Sequence, residues 1–176
     1  MGFEEPDCEA GGGSAGMADS AAAASVWDQQ MGRFKDAGSL LISPSMCHQA
    51  DETYLKPFDD AAKVKWDITN VHINKLDKEG IKKDLDHYAS YGKPLWVSEF
   101  ACVDDQNGFT ACEDPTQINQ YINDIVEILE NDSRVVAYAF SNGIGLGQHW
   151  KLTNDDGSAL SDAGQTYLNA IKKHAK

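Results

Sequence analysis

The sequence predicts an α/β fold built on a parallel sheet and, among such folds, an incomplete (β/α)8 TIM barrel. Three observations lead there. Short apolar runs alternate with stretches of helical periodicity along the 176 residues. Polar and acidic residues collect where those runs end, the face on which barrel enzymes carry their chemistry. No GxGxxG follows the first run, so the usual signature of an open dinucleotide-binding sheet is missing.

Residues 1–4 predict the stub of a first strand. Glu5-Pro6 then turns into a Gly-rich loop, Gly11-Gly12-Gly13-Ser14-Ala15-Gly16, which lacks the lysine of a phosphate-binding loop and reads as a surface connection. Residues 17–35 have helical spacing, with Val26, Trp27, Met31 and Phe34 on one side and Gly38 as the stop signal. Residues 40–44 predict a second strand that Pro44 ends. A short helix over 51–64, a third strand over 68–73 and a helix over 78–91 follow. Residues 94–100 predict the fourth strand, and a loop holding Cys102 and Cys112 comes next. In the helix over 117–130, Ile118, Tyr121, Ile122, Ile125, Val126 and Leu129 fall on one face. Residues 135–140 predict the last strand. A Gly-rich loop runs through Trp150, and a closing helix spans 162–174, capped by Ser161 or Asp162.

A chain of this length fits one domain, residues 1–176, and hides roughly 70% of its extended surface on folding. Hydrophobic residues make up 41%, yet no stretch approaches the roughly 20 apolar residues of a membrane span. The net charge of -13 disfavours nucleic acid and anionic membranes, which recruit Lys and Arg. A neutral polysaccharide is not penalised. Met1 is followed by Gly-Phe-Glu-Glu-Pro rather than a leader peptide, so the chain is either cytosolic or lacks its beginning. The four cysteines lack the spacing of a zinc site, and neither a metal nor a cofactor is expected. They permit three pairings. Cys102 with Cys112 closes a short loop and leaves Cys8 for Cys47, which favours an oxidising compartment; four buried thiols are the alternative.

The polar residues at the strand ends are Glu4, Glu5 and Asp7 on the first, His72 and Asn74 on the third, Glu99 on the fourth and Asn142 on the fifth. Side chains alternate faces along a strand, so Glu99 shares a side with Val97 and Leu95, and His72 with Asn70 and Asn74. In a closed barrel these groups converge with Glu5 near the axis. Two converging carboxyl groups are what glycosidic cleavage needs, one protonated to release the leaving oxygen and one ionised to attack or to activate water. His72 either keeps one of them ionised by a hydrogen bond or is a buried histidine satisfied by backbone. Trp150 is placed as a sugar platform, whereas Trp27, Trp66 and Trp96 sit at core positions and His149 is an exposed loop residue.

The segments Gly2-Phe3-Glu4-Glu5-Pro6-Asp7, Ser43-Pro44-Ser45, Val71-His72 and Gly92-Lys93-Pro94-Leu95-Trp96-Val97-Ser98-Glu99-Phe100-Ala101-Cys102 occur in an order and spacing that resembles glycoside hydrolase family 128. This is a family related to a fungal alkali-sensitive-linkage cell-wall protein. The resemblance implies a secreted or cell-wall, retaining endo-hydrolase of β-1,3-glucan, with Glu5 as acid/base and Glu99 as nucleophile. It also implies that His72 organises the nucleophile region, and that the chain carries barrel strands 4 to 8 with their helices, since a whole barrel takes about 250 residues. Three departures accompany it. Glu4 replaces the Asn expected to hold the sugar's 2-hydroxyl, which either raises the pKa of Glu5 or substitutes for that hydrogen bond. Ile73-Asn74 replaces an aromatic platform and a hydroxyl. The first three strands have no counterpart.

Overall fold

The computed structural model describes residues 1–142 and 145–175. Two compact units divide the chain: Met1–His72 with Asp84–Val97, and Ile73–Lys83 with Ser98–Lys176.

In the first unit, α1 (Ser20–Asp36) begins where the Asp19 carboxylate accepts the N–H groups of Ala21 and Ala22. A cap of this kind is worth about 1 kcal/mol. The buried face of α1 is Ala23, Ala24 and Trp27, and the two alanines let its neighbours approach closely. Val26 and Phe34, expected on that face, are exposed, and the Arg33 guanidinium lies over the Phe34 ring instead. The Trp27 indole donates to Val64 O at 2.7 Å and meets Phe58 edge-on.

A 3-10 turn (Gln49–Asp51) leads to α2 (Leu55–Ala61). This helix is shorter than expected, because Asp28 takes the N–H groups of Lys63 and Val64 and draws the chain away from helical pairing. At its start the buried Glu52 accepts the N–H groups of Tyr54 and Leu55.

The sheet contains β1 (Thr69–Lys75), β2 (Leu95–Asp104), β3 (Thr110–Ala111) and β4 (Val135–Tyr138). β2 pairs with β1 and β4, and at its end with β3 in antiparallel register, Val103 opposite Ala111. The helix α3 (Lys78–Ala89) connects β1 to β2, and α4 (Pro115–Asn131) precedes β4. All seven residues of β1 are buried, the signature of a strand covered on both faces. The fold is therefore α/β with a parallel sheet, but this sheet has four strands and does not close into a barrel among the described residues.

Two expected strands are absent. Residues 40–44 contribute one parallel bridge, Ile42 to Ile68, because Pro44 has no N–H to extend it. Residues 1–4 make single backbone bonds, such as Ser45 N to Phe3 O. β2 also runs to Asp104, so Glu99 sits inside a strand rather than at its end.

In the second unit, α4 is capped by Asp114 with Pro115 in its first turn, and all six apolar residues expected on its inner face are buried. It packs on α5 (Asp162–Lys172), where the Ser161 hydroxyl accepts the Gly164 N–H at 3.0 Å. Gly164 is required by contact: a Cβ there would come within 2.0 Å of Leu152 O. Both expected cysteine pairs are formed, Cys8–Cys47 and Cys102–Cys112. The second clamps the β2–β3 hairpin where the sequence suggests only a loop. Part of the expected Gly-rich loop after β4, residues 143–144, lies outside the described residues. No helix among the described residues is long and apolar enough to cross a membrane.

Candidate functional site

Among the described residues, Glu5 is one of two non-glycine residues with positive φ, at 42°. A left-handed residue before proline is doubly unfavourable, since Cβ crowds the backbone and the proline ring restricts its neighbour. Strain of this type costs about 1–3 kcal/mol and persists only where surrounding contacts impose it. Here the contacts are visible. The Glu5 N–H donates to Ser45 Oγ at 3.1 Å, and its carbonyl accepts the Cys8 N–H. Its carboxylate accepts Ser14 Oγ at 2.8 Å and His72 Nδ1 at 3.0 Å. Asp7 accepts the N–H groups of Cys47 and His48, and the Cys8–Cys47 disulfide closes the turn beside it.

His72 is 1% exposed, and its Nε2 faces Glu4 Oε1 at 3.5 Å. Glu4 also accepts Ser45 Oγ at 3.1 Å. The hydrogen bond from His72 is the main influence holding the Glu5 carboxyl below its ordinary value, aided by Ser14 and opposed by burial. The second carboxylate at Glu4 does not reverse that balance. The structure thus places His72 against Glu5 and Glu4.

A depressed carboxyl pKa has a definite sign in stability. The contribution of Glu5 is complete above the ordinary glutamate value of 4.5 and is lost as pH falls through the lower folded-state value. The stability advantage of the wild type over Glu5→Gln is therefore expected to be constant near neutrality and to shrink below about pH 4.5. Urea unfolding of both proteins across pH 3–7 checks this; an advantage that grows on acidification would contradict the assigned hydrogen bonds.

Glu99 belongs to the second unit. Its Oε2 accepts Ser141 Oγ at 2.9 Å, and the Ser141 carbonyl accepts the Trp150 indole N–H at 2.7 Å. Trp150 is 2% exposed and stacks on Phe140 with ring centroids 4.3 Å apart. It is a core residue rather than an open sugar platform, because the cluster with Phe100, Phe140 and Tyr121 consumes its faces. Asn142, next to Ser141, is exposed. Asn74 is buried near the end of β1. Trp27 and Trp66 are core as expected, and Trp96 is half-buried.

Sequence reasoning missed three serines. Ser45 lies in a segment already singled out, and Ser141 directly precedes Asn142. Ser14 carries no local signal within a loop of glycines.

Among the described residues, Glu4, Glu5 and His72 bring three possible ligand atoms within 4.8 Å of one another. Both ring nitrogens of His72 face these carboxylates, Nδ1 toward Glu5 at 3.0 Å and Nε2 toward Glu4 at 3.5 Å. Cys8, Cys47 and His48 also lie close together, but the two sulfurs are bonded to each other.

The family described as "Glycosyl hydrolase catalytic core" matches residues 1–167. The chain belongs to glycoside hydrolase family 128. It is 51% identical to a family 128 (subgroup VII) oligosaccharide-binding protein from Cryptococcus neoformans, with a TM-score of 0.93 over 99% of this chain and 68% of that one. An endo-β-1,3-glucanase of subgroup II from Sorangium cellulosum is 27% identical, with a TM-score of 0.75 over 96% of this chain and 68% of that one. Alkali-sensitive linkage protein 1 of Schizosaccharomyces pombe is 25% identical over 96% of this chain and 32% of its own length. The chain thus spans about a third of that curated relative.

Proposed function

We propose that this chain binds oligosaccharides of β-1,3-glucan on a hydrolase fold without cleaving them. The observation that carries this reading is the pair of contacts that Ser14 and His72 make with the Glu5 carboxylate, at 2.8 and 3.0 Å. An acid/base must hold a proton while the leaving oxygen departs, and glycosidases raise a carboxyl pKa to achieve this. Here His72 and Ser14 hold the Glu5 carboxyl down. The likeness to an oligosaccharide-binding protein supports the same conclusion. In the first unit Glu4, beside buried His72, would supply a hydrogen bond to a sugar hydroxyl; in the second, Asn142 would do the same, with Asn74 and Trp150 buried. Two disulfides support a secreted or cell-wall location.

A second reading is retaining hydrolysis, with Glu5 as acid/base and Glu99 as nucleophile. The likeness to an endo-β-1,3-glucanase favours it, together with a Glu99 carboxylate held in place by Ser141. Reducing-sugar release from laminarin and titration calorimetry with laminarihexaose separate the two. The binding reading expects heat of binding, and no release by the wild type, Glu5→Gln or Glu99→Gln. Release by the wild type that either substitution lowers by about a thousandfold establishes hydrolysis instead.

A further inference from the structure

A cleft of about 580 Å³ lies in the second unit, between the segment that follows β4 and the turn that precedes α5. Its size falls within the roughly 300–1,000 Å³ of small-molecule sites. Buried Trp150 contributes to its wall, while Asn142, Gln148 and Thr153 line it from exposed positions. Among the described residues no protein group engages the Asn142 or Gln148 amide. Elsewhere on the wall, Lys151 and Asp155 neutralise one another at 2.7 Å. The cleft therefore presents two unengaged planar amides and a hydroxyl, with no unpaired charge. That set suits a neutral polyhydroxylated ring: an amide donates and accepts at once, so it can bridge neighbouring hydroxyls. An anionic or cationic ligand finds no counter-charge there.

The cleft is also continuous with the Glu99 contacts along the chain. Ser141 holds the Glu99 carboxylate through its hydroxyl and Trp150 through its carbonyl, and the next residue, Asn142, begins the wall. We propose that the cleft is a distal sugar subsite, taking a neutral glucosyl unit of an oligosaccharide whose other units lie at Glu99. This rests on the glucan-binding reading and adds where a longer chain gains affinity.

Calorimetry on the full chain with laminaritriose and laminarihexaose tests it. The wild type binds the hexaose more tightly than the triose. Gln148→Ala/Thr153→Val lowers affinity for the hexaose about tenfold, as two neutral hydrogen bonds predict, and leaves the triose within about twofold. Thr153→Val gives a smaller loss with the same dependence on length, and circular dichroism confirms that each variant keeps the fold. Unchanged hexaose affinity in the double variant overturns the subsite, and so does an equal loss for both sugars, which would place these groups in the contacts at Glu99. A wild type that binds neither sugar overturns the glucan-binding reading itself, and the subsite with it.

Discussion

Trp150→Ala is expected to lower the free energy of unfolding by about 3–5 kcal/mol, the range for truncating a fully buried large aromatic residue. Three contributions add in one direction. The ring stacks on Phe140, meets Phe100 edge-on at 6.4 Å and lies 6.0 Å from Tyr121, so its removal opens a cavity inside an aromatic cluster. The indole N–H also serves the Ser141 carbonyl, and a buried acceptor left without its donor costs about 1–3 kcal/mol. The loss propagates to Glu99, because the same Ser141 orients its carboxylate. Guanidinium unfolding measures the total, and Trp150→Phe separates the parts. Phenylalanine keeps most of the packing and loses the donor, so its cost should stay below that of alanine by about 2 kcal/mol or more. Equal costs for the two variants would mean that the hydrogen bond, not the packing, carries the residue's effect.

What the sequence made legible was local and periodic. The inner face of α4 follows from the spacing of Ile118 to Leu129, and the start of α5 from the hydroxyl of Ser161. The disulfide pairs formed are the ones that a short Cys102–Cys112 loop suggested, with four buried thiols as the alternative. The extent of β2 was not legible, because Phe100, Ala101, Cys102 and Val103 are all buried and give no alternation beyond Glu99. The placement of Trp150 was hidden for a related reason: its partners Phe100, Tyr121 and Phe140 come from three separate segments. At the candidate site, carboxylates and imidazole were recognisable by residue type, but their charge state depends on partners distant in sequence. Ser14 and His72 reach Glu5 from 9 and 67 residues away. Those distant partners hold the Glu5 carboxyl below its ordinary value.

Removing the Cys8–Cys47 disulfide is expected to cost about 4 kcal/mol, with a further effect at Glu5. Its cysteines are 39 residues apart, and the chain-entropy relation for a loop of that length gives this magnitude. Cys102 and Cys112 are 10 apart, so the same relation assigns that bridge about 3 kcal/mol. The two differ more in consequence than in size. Cys8 closes the turn that contains Glu5, whose left-handed backbone before Pro6 must be imposed from outside. The Asp7 contacts with Cys47 and His48 tie the same two segments together, but as side-chain hydrogen bonds they yield where a covalent link does not. Cys8→Ser/Cys47→Ser should therefore release the turn, weaken the bonds from Ser14 and His72, and return the Glu5 carboxyl toward its ordinary value. Cys102→Ser/Cys112→Ser should lower stability without moving Glu5, because its hairpin belongs to the second unit. Guanidinium unfolding under oxidising conditions reads the stability of both variants, and carboxyl-carbon NMR titration reads Glu5. A Glu5 titration identical in the wild type and the Cys8–Cys47 variant would show that the hydrogen bonds alone hold the turn.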